Sequence, residues 1–75
     1  MNIRLKGDFK TESKMDVTVM DLSGKIIKKL YTGKARKNLV WDGKDNRDFH
    51  VASGLYFIRC KLGTRSISLH ALIVR

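Results

Sequence analysis

Alternation of apolar and polar side chains is the feature that most constrains the fold of this chain. In residues 54–62 every second side chain from Tyr56 to Leu62 is apolar, and Arg59 and Lys61 fall between them. A period of two places successive side chains on opposite faces of a strand, whereas an amphipathic helix repeats every 3.6 residues. The pattern therefore predicts a strand over residues 54–62, buried on one face, and the same alternation recurs along most of the chain.

Turns rich in Gly, Asp and Asn separate six or seven short predicted strands. Residues 16–31 read as a hairpin that turns at DLSGK, where Asp21 and Ser23 can bond the backbone and Gly24 tolerates positive φ. Residues 26–31 also fit one turn of amphipathic helix, which we rank second because the segment is short and follows a hairpin turn. Short strands between such turns indicate an antiparallel sandwich. We expect strands near Ile3 and Leu5 and over residues 16–22, 26–31, 39–41, 54–62 and 66–74, with a polar loop at 32–38.

The chain has 75 residues, which suits a single domain (residues 1–75) with little interior to spare. Trp41 is expected to be the largest piece of the core, on the same face as Leu39. Phe49 and Val51 are expected to fold back over the edge of that core. In the last strand, Ile67, Leu69, Ala71 and Ile73 should point inward, and Ser66, Ser68 and His70 outward.

The polar turn after Trp41 carries four oxygen-bearing side chains within seven positions, which invites a calcium hypothesis. Counted from Asp42, however, Lys44 occupies position three and Arg47 position six of an EF-hand loop, so the pattern fails. Both cations would also repel a divalent metal, and no predicted helix follows Gly43 to direct backbone donors at a phosphate. We therefore expect no metal and no cofactor, and a turn in which Asx side chains cap the bend: Asp42, Asp45, Asn46 and Asp48.

The residues of nucleophilic catalysis occur without their usual surroundings, so we expect no enzyme and no catalytic residue. Ser53 is not part of a G-x-S-x-G elbow, and no motif surrounds His50 or His70, which we expect at the surface. Cys60 is the single cysteine, which excludes an internal disulfide and a multi-cysteine metal site. Its apolar surroundings favour a buried, inert thiol.

A formal net charge of +9 and a pI near 10.1 favour anionic partners: nucleic acid, anionic glycolipid or an acidic polymer. The alternative is that the lysines lie on outward strand positions, where they discourage edge-to-edge association. A single-strand nucleic-acid binder needs exposed rings beside its cations, and the pattern shows few, so nucleic acid is an unlikely partner. No stretch reaches the roughly 18 apolar residues of a membrane span, and residues 1–14 lack the apolar core of a signal peptide.

Three segments, in this order, resemble one known family. VTVMDLSGKIIKKL (17–30) resembles its strand–turn–strand pattern V-x-V-x-D-x-x-G-K, and VWDGKDN (40–46) is similar to its W-D-G-x-D/N turn. VASGLYFIRC (51–60) resembles its V-x-S-G-x-Y-x-x-R strand. The family is the small immunoglobulin-like β-sandwich of two groups: C-terminal sorting domains of type IX secretion substrates, and domains of flagellar hook-capping proteins. The resemblance covers roughly residues 15–75.

The resemblance implies a non-catalytic, antiparallel immunoglobulin-like β-sandwich at the C-terminus of a larger secreted protein. In the sorting group, the outer-membrane secretion machinery recognises the domain, and the cargo domain that precedes it is attached to anionic lipopolysaccharide at the cell surface. By position, Gly54 and Tyr56 match the G-x-Y element, and residues 66–75 match the terminal recognition strand. The implied partner-recognition residues of that strand are Ile67, Leu69, His70, Leu72, Val74 and Arg75, and the implied fold determinants are Asp21, Gly24, Trp41, Asp42 and Gly43.

The second group implies an alternative role, that of an immunoglobulin-like spacer or scaffold domain of the hook-capping type or appended to a glycoside hydrolase. A sorting module would need the secretion machinery, whereas a spacer would self-associate or pack on a neighbouring domain without it.

Overall fold

The computed structural model describes residues 2–5 and 13–74, and in this part of the chain it is all-β, without a helix. Every strand pair is antiparallel. A two-stranded sheet has the order β1-β4, and a four-stranded sheet has the order β3-β2-β5-β6. The strands are β1 (Asn2–Arg4), β2 (Lys14–Met20), β3 (Ile26–Lys34), β4 (Asn38–Val40), β5 (Gly54–Leu62) and β6 (Arg65–Ile73).

The predicted alternation determines which faces are buried. In β5, every second side chain from Tyr56 to Leu62 is buried, and Arg59 and Lys61 are exposed between them. In β2, Val17 and Val19 are fully buried, which fits the same alternation. Side chains from both sheets share one hydrophobic core, to which β1 and β4 contribute Ile3 and Leu39 and the segments that follow these strands contribute Leu5 and Trp41.

The hairpin turn between β2 and β3 forms as predicted, around a single carboxylate. Oδ1 of Asp21 accepts hydrogen bonds from the backbone N–H of Ser23 at 2.9 Å, from the hydroxyl of Ser23 at 2.6 Å and from the backbone N–H of Lys25 at 2.9 Å. Gly24 has φ of +89°, a conformation that costs a residue with a Cβ but not glycine. The turn returns the chain as β3, which makes the helical alternative for residues 26–31 wrong.

The predicted polar loop at residues 32–38 is also wrong in its bounds, because β3 continues to Lys34 and β4 begins at Asn38. Thr32 is held in the strand by pairing with Asp16, whose carboxylate accepts the Thr32 hydroxyl hydrogen bond. Two register shifts in the β2–β3 pairing bend β3. The first leaves Leu30 without a partner on β2, and the second does the same for Ile27; both side chains pack against the core.

Trp41 is the largest fully buried side chain, as predicted, with no exposed surface. Its Nε1–H donates a hydrogen bond of 3.0 Å to the carbonyl of Lys44, and its ring meets the ring of Tyr56 edge-on, with centroids 5.7 Å apart. The Tyr56 hydroxyl donates to the carbonyl of Ala52 at 2.6 Å. The two largest rings of the core therefore satisfy their polar atoms through the backbone of the segment that joins β4 to β5.

Val51 is buried as expected, but the prediction that Phe49 covers the core is wrong, because its side chain is 66% exposed. The backbone explains this difference. The N–H of Phe49 donates to Oδ1 of Asp45, and its carbonyl accepts the backbone N–H of Asp45. These two bonds fix the backbone of Phe49 against the loop and leave its ring on the outside.

Candidate recognition surface

The aspartates of the loop at residues 42–50 bond to nearby backbone groups. Oδ1 of Asp42 accepts the N–H of Lys44 at 3.0 Å, and Oδ1 of Asp45 accepts the N–H groups of Arg47 at 2.8 Å and Phe49 at 3.0 Å. Asx side chains that bond to the backbone two residues further on stabilise tight turns. The prediction that Asx residues cap this bend is confirmed for Asp42 and Asp45.

Gly43, like Gly24 in the β2–β3 turn, has a backbone conformation that favours glycine. It has φ of +76° and is buried, and its carbonyl accepts the N–H of Val51 at 2.9 Å. That hydrogen bond joins the start of the loop to the residue that follows its end, Val51. Gly43 therefore occupies a position where a Cβ would be strained.

Asn46 connects the loop to β3, one edge strand of the four-stranded sheet. Its backbone N–H donates to the carbonyl of Ile27 at 3.1 Å, and its side-chain Oδ1 accepts the N–H of Lys29 at 3.1 Å. One asparagine thus bonds to the carbonyl of Ile27 and the N–H of Lys29, two residues apart on an edge strand. A neighbouring strand would bond to such backbone groups in the same way. We call this contact the Asn46 clamp.

β6 is the opposite edge of that sheet, and within residues 2–5 and 13–74 it pairs with β5 alone. All nine of its residues pair with β5, from Gly54↔Ile73 to Leu62↔Arg65. Its second side presents the alternating N–H and C=O groups that an added strand would bond. In the part of the chain that the structure describes, β6 is therefore an open edge of the four-stranded sheet.

The predicted recognition residues divide between the two faces of the sheet. Leu72 is 64% exposed and Val74 is 79% exposed, and His70 is exposed beside them. Ile67 and Leu69 point toward the core and are half-buried, as the alternation predicts. Arg75 lies outside the described residues.

Gly54 and Tyr56 lie next to β6 because β5 is its neighbour. Gly54 pairs with Ile73, and Tyr56 pairs with Ala71. The Tyr56 ring is in the core, so this residue can support the recognition strand from beneath but presents no ring to a partner. Direct contact is left to the outward residues of β6.

An apolar patch on the outer face extends this surface, and the sequence reasoning missed it. Leu55 pairs with Leu72, and Phe57 pairs with His70 on one side and with Met20 on the other. The Phe57 and His70 rings lie 5.0 Å apart, centroid to centroid. The signal was present in the four consecutive apolar residues 55–58, which make both faces of a strand apolar. The apolar patch consists of Met20, Ile26, Leu55, Phe57 and Leu72.

Two titratable groups among the described residues have shifted pKa values. The hydrogen bond from the Ser23 hydroxyl, together with the backbone N–H of Lys25, lowers the pKa of the Asp21 carboxyl. Burial raises the pKa of the Cys60 thiol, which therefore stays protonated at neutral pH; its predicted burial is confirmed.

No group of three or more His, Cys, Asp or Glu side chains within the described residues is placed to hold a metal ion. The same residues include no helix that is long and apolar enough to cross a bilayer. No family model, curated protein or solved structure matches this chain.

Proposed function

We propose that this chain is a non-catalytic sorting and anchoring module at the C-terminus of a secreted protein. Its fold would be a small immunoglobulin-like β-sandwich, and the outer-membrane secretion machinery would recognise it and deliver the preceding cargo domain to the cell surface. The sequence resemblance over roughly residues 15–75 supports this role. The all-β, antiparallel architecture is the one that the role requires.

The observation that carries the proposal is the position of β6. Among the described strands, β6 is an open edge of the four-stranded sheet, and the Asn46 clamp covers part of the other edge, β3. A partner that adds a strand to β6 gains main-chain hydrogen bonds, and pockets for alternate side chains give such a contact its specificity. On the outer face, Leu72 and Val74 supply those side chains at the end of the strand.

Leu72 and Val74 are exposed, so they lower the solubility of the isolated domain and contribute little to the stability of its fold. Burying Leu72 and Val74 against a partner would stabilise the complex by about 1.5–3 kcal/mol for each fully covered side chain. Two such contacts account for roughly a hundredfold or more in affinity. Loss of both should therefore be visible in a delivery assay.

The test fuses residues 1–75 to the C-terminus of a periplasm-competent reporter in a type IX-competent cell. We expect the reporter at the cell surface, and we expect the double variant Leu72→Ser/Val74→Ser to accumulate in the periplasm. Val40→Ser is the matched control, because Val40 is 69% exposed but lies on β4, in the other sheet. Periplasmic retention of the unmodified fusion, or equal delivery of all variants, would contradict the proposal.

A second candidate is an immunoglobulin-like spacer or scaffold domain, and the exposed apolar side chains favour it. Leu22 and Phe49 are about two-thirds exposed, in the turn after β2 and in the loop before β5, at the same end of the sheet as Leu72. Such an end suits packing against a neighbouring domain. A periplasmic reporter together with a dimer in gel filtration would select this candidate.

A further inference from the structure

Cations from several segments of the chain converge at one end of the four-stranded sheet. β2 begins at this end, β3 finishes there, and the turn from β5 to β6 lies there. Three backbone hydrogen bonds join the segments: Leu5 N–H to Lys37 O, Ala35 N–H to Ser13 O, and Gly63 N–H to Lys14 O. We call this surface the basic end; it comprises Arg4, Lys14, Lys34, Arg36, Lys37, Lys61 and Arg65, all exposed.

Acidic residues are concentrated at the opposite end. Of the five carboxylates in the described residues, four belong to the β2–β3 turn and the loop before β5: Asp21, Asp42, Asp45 and Asp48. The fifth, Asp16, pairs with Lys61 and Thr32 and accepts the hydroxyl hydrogen bond of Thr32. By sequence, residues 6–12 carry two lysines and two acidic residues, which leave the formal charge balance unchanged.

The two ends act as separate electrostatic surfaces. The described part of the molecule measures 35 × 21 × 20 Å, and β5 alone covers about 27 Å of strand at 3.3 Å per residue. The Debye length at physiological ionic strength is about 8 Å, so the aspartates of one end do not neutralise the cations of the other. Among the described residues, a partner approaching the basic end meets seven cationic side chains and one nearby carboxylate, that of Asp16.

We propose that the basic end docks onto an anionic lipid surface by contact with its phosphate headgroups. The cations come from five strands and the segment between β3 and β4 instead of following one element, and the two shorter dimensions of the described molecule are about 21 and 20 Å; such a distribution suits a planar array of headgroups. Arg4 and Arg36 also line a hollow of about 610 Å³ together with Asn38, Leu39 and Val40, and each guanidinium group can bind two phosphate oxygens at once.

Rings at the basic end argue against a single-stranded nucleic acid. The guanidinium of Arg36 lies 5.3 Å from the centroid of the Tyr31 ring, and the Tyr31 hydroxyl is bonded to the carbonyl of Lys34. The Arg36 guanidinium and the half-buried position of Tyr31 limit stacking of a base on this ring, whereas single-strand binders stack bases on exposed rings beside the cations. The rings of the outer face, Phe57 and His70, lie toward the other end of β5 and β6.

Val40 is the exposed apolar side chain beside Arg4 and Arg36, and the seven residues of the basic end are all cations, so docking there is mainly electrostatic and peripheral. Each Lys or Arg close to an anionic bilayer contributes about a fivefold factor in partitioning, and salt screens this contribution. Docking through the basic end uses none of the residues proposed for partner recognition on β6, so either proposal can fail without the other.

The test uses the full chain with sedimentable vesicles of phosphatidylcholine, either alone or with about 30 mol% phosphatidylglycerol. We expect binding only to the anionic vesicles, weakening as salt is raised. The triple variant Lys34→Gln/Lys61→Gln/Arg65→Gln should lose roughly 100-fold in partitioning. Its matched control is Lys25→Gln/Lys44→Gln/Arg47→Gln at the opposite end, which removes the same charge and should lose less than about fivefold.

Circular dichroism of both triple variants verifies that they are folded, so that a loss of binding reports on the surface. Equal losses in the two variants, or binding to neutral vesicles, would overturn the assignment to the basic end. Binding of the wild-type chain to a labelled single-stranded oligonucleotide but not to anionic vesicles would overturn it in favour of nucleic acid.

Discussion

Replacing Trp41 by alanine removes the largest fully buried side chain from a domain of 75 residues. A buried aromatic side chain removes about 150–250 Å² from water, which corresponds to roughly 4–6 kcal/mol at about 25 cal/mol per Å². Measured Trp-to-Ala and Phe-to-Ala substitutions in cores cost about 3–5 kcal/mol. At about 0.05–0.15 kcal/mol per residue, the whole domain is stable by only about 4–11 kcal/mol. We therefore expect Trp41→Ala to lose about 3–5 kcal/mol, which is from roughly a quarter to all of the free energy of unfolding.

Two milder substitutions divide this loss into parts. Trp41→Phe keeps an apolar ring but leaves the carbonyl of Lys44 without its indole donor, which should cost about 1–3 kcal/mol. Tyr56→Phe removes the hydroxyl that donates to Ala52 and should cost about 0.5–1.5 kcal/mol. The expected order of destabilisation is Trp41→Ala, then Trp41→Phe, then Tyr56→Phe.

Urea unfolding followed by far-UV circular dichroism measures these differences without relying on the tryptophan as a probe. Val40→Ala is the control, because the side chain of Val40, next to Trp41 in the chain, is 69% exposed, and its truncation should change the free energy of unfolding by less than about 0.5 kcal/mol. If Trp41→Ala is too unstable to measure, Trp41→Phe and Tyr56→Phe still test the order. A Trp41→Ala domain within about 1 kcal/mol of the wild type would refute the view that one indole organises this core.

Three further predictions concern single groups. Asn46→Ala should destabilise the domain by about 1 kcal/mol and speed hydrogen exchange at the Lys29 amide, because the Asn46 side chain accepts the hydrogen bond of that N–H. Unchanged exchange at Lys29 would rule out the clamp. Cys60 should react with a thiol reagent only as fast as the domain unfolds, because its thiol is buried and its pKa is raised; rapid labelling under native conditions would contradict this. The pKa of Asp21 is lower in the folded state than its unfolded value of about 4, so its contribution to stability is fully present above about pH 4 and is lost as the pH falls through the folded value. Asp21→Asn should therefore flatten the acid limb of a curve of stability against pH. An unchanged acid limb would contradict this.

Where burial and turn chemistry decide the structure, the sequence was sufficient. The alternation in residues 54–62 predicted β5 with its bounds, and DLSGK predicted a turn whose Asp21 and Gly24 behave as expected. Both patterns are local, since a period of two and an Asx turn need no knowledge of distant residues.

Sequence reasoning failed where distant contacts decide the structure. The extension of β3 to Lys34 depends on pairing with β2, including the bond from Thr32 to Asp16, which lie 16 positions apart. The side chain of Phe49 faces outward because Asp45 holds its backbone. Hydrophobicity alone predicts a buried ring at this position, and that prediction was wrong. The charge asymmetry was likewise hidden, because the cations of the basic end are distant in sequence and meet only after the strands pair.

The Asn46 clamp has a consequence for how many copies of a chain like this can join. A sheet with two free edges can extend in both directions and grow into an open filament. Here a loop residue occupies backbone groups on one side, at Ile27 and Lys29, which leaves a full-length docking row on the other side alone. A strand added to the four-stranded sheet therefore finds a full row of backbone partners along β6, whereas along β3 it would lose those at Ile27 and Lys29, so growth through both edges of this sheet is disfavoured.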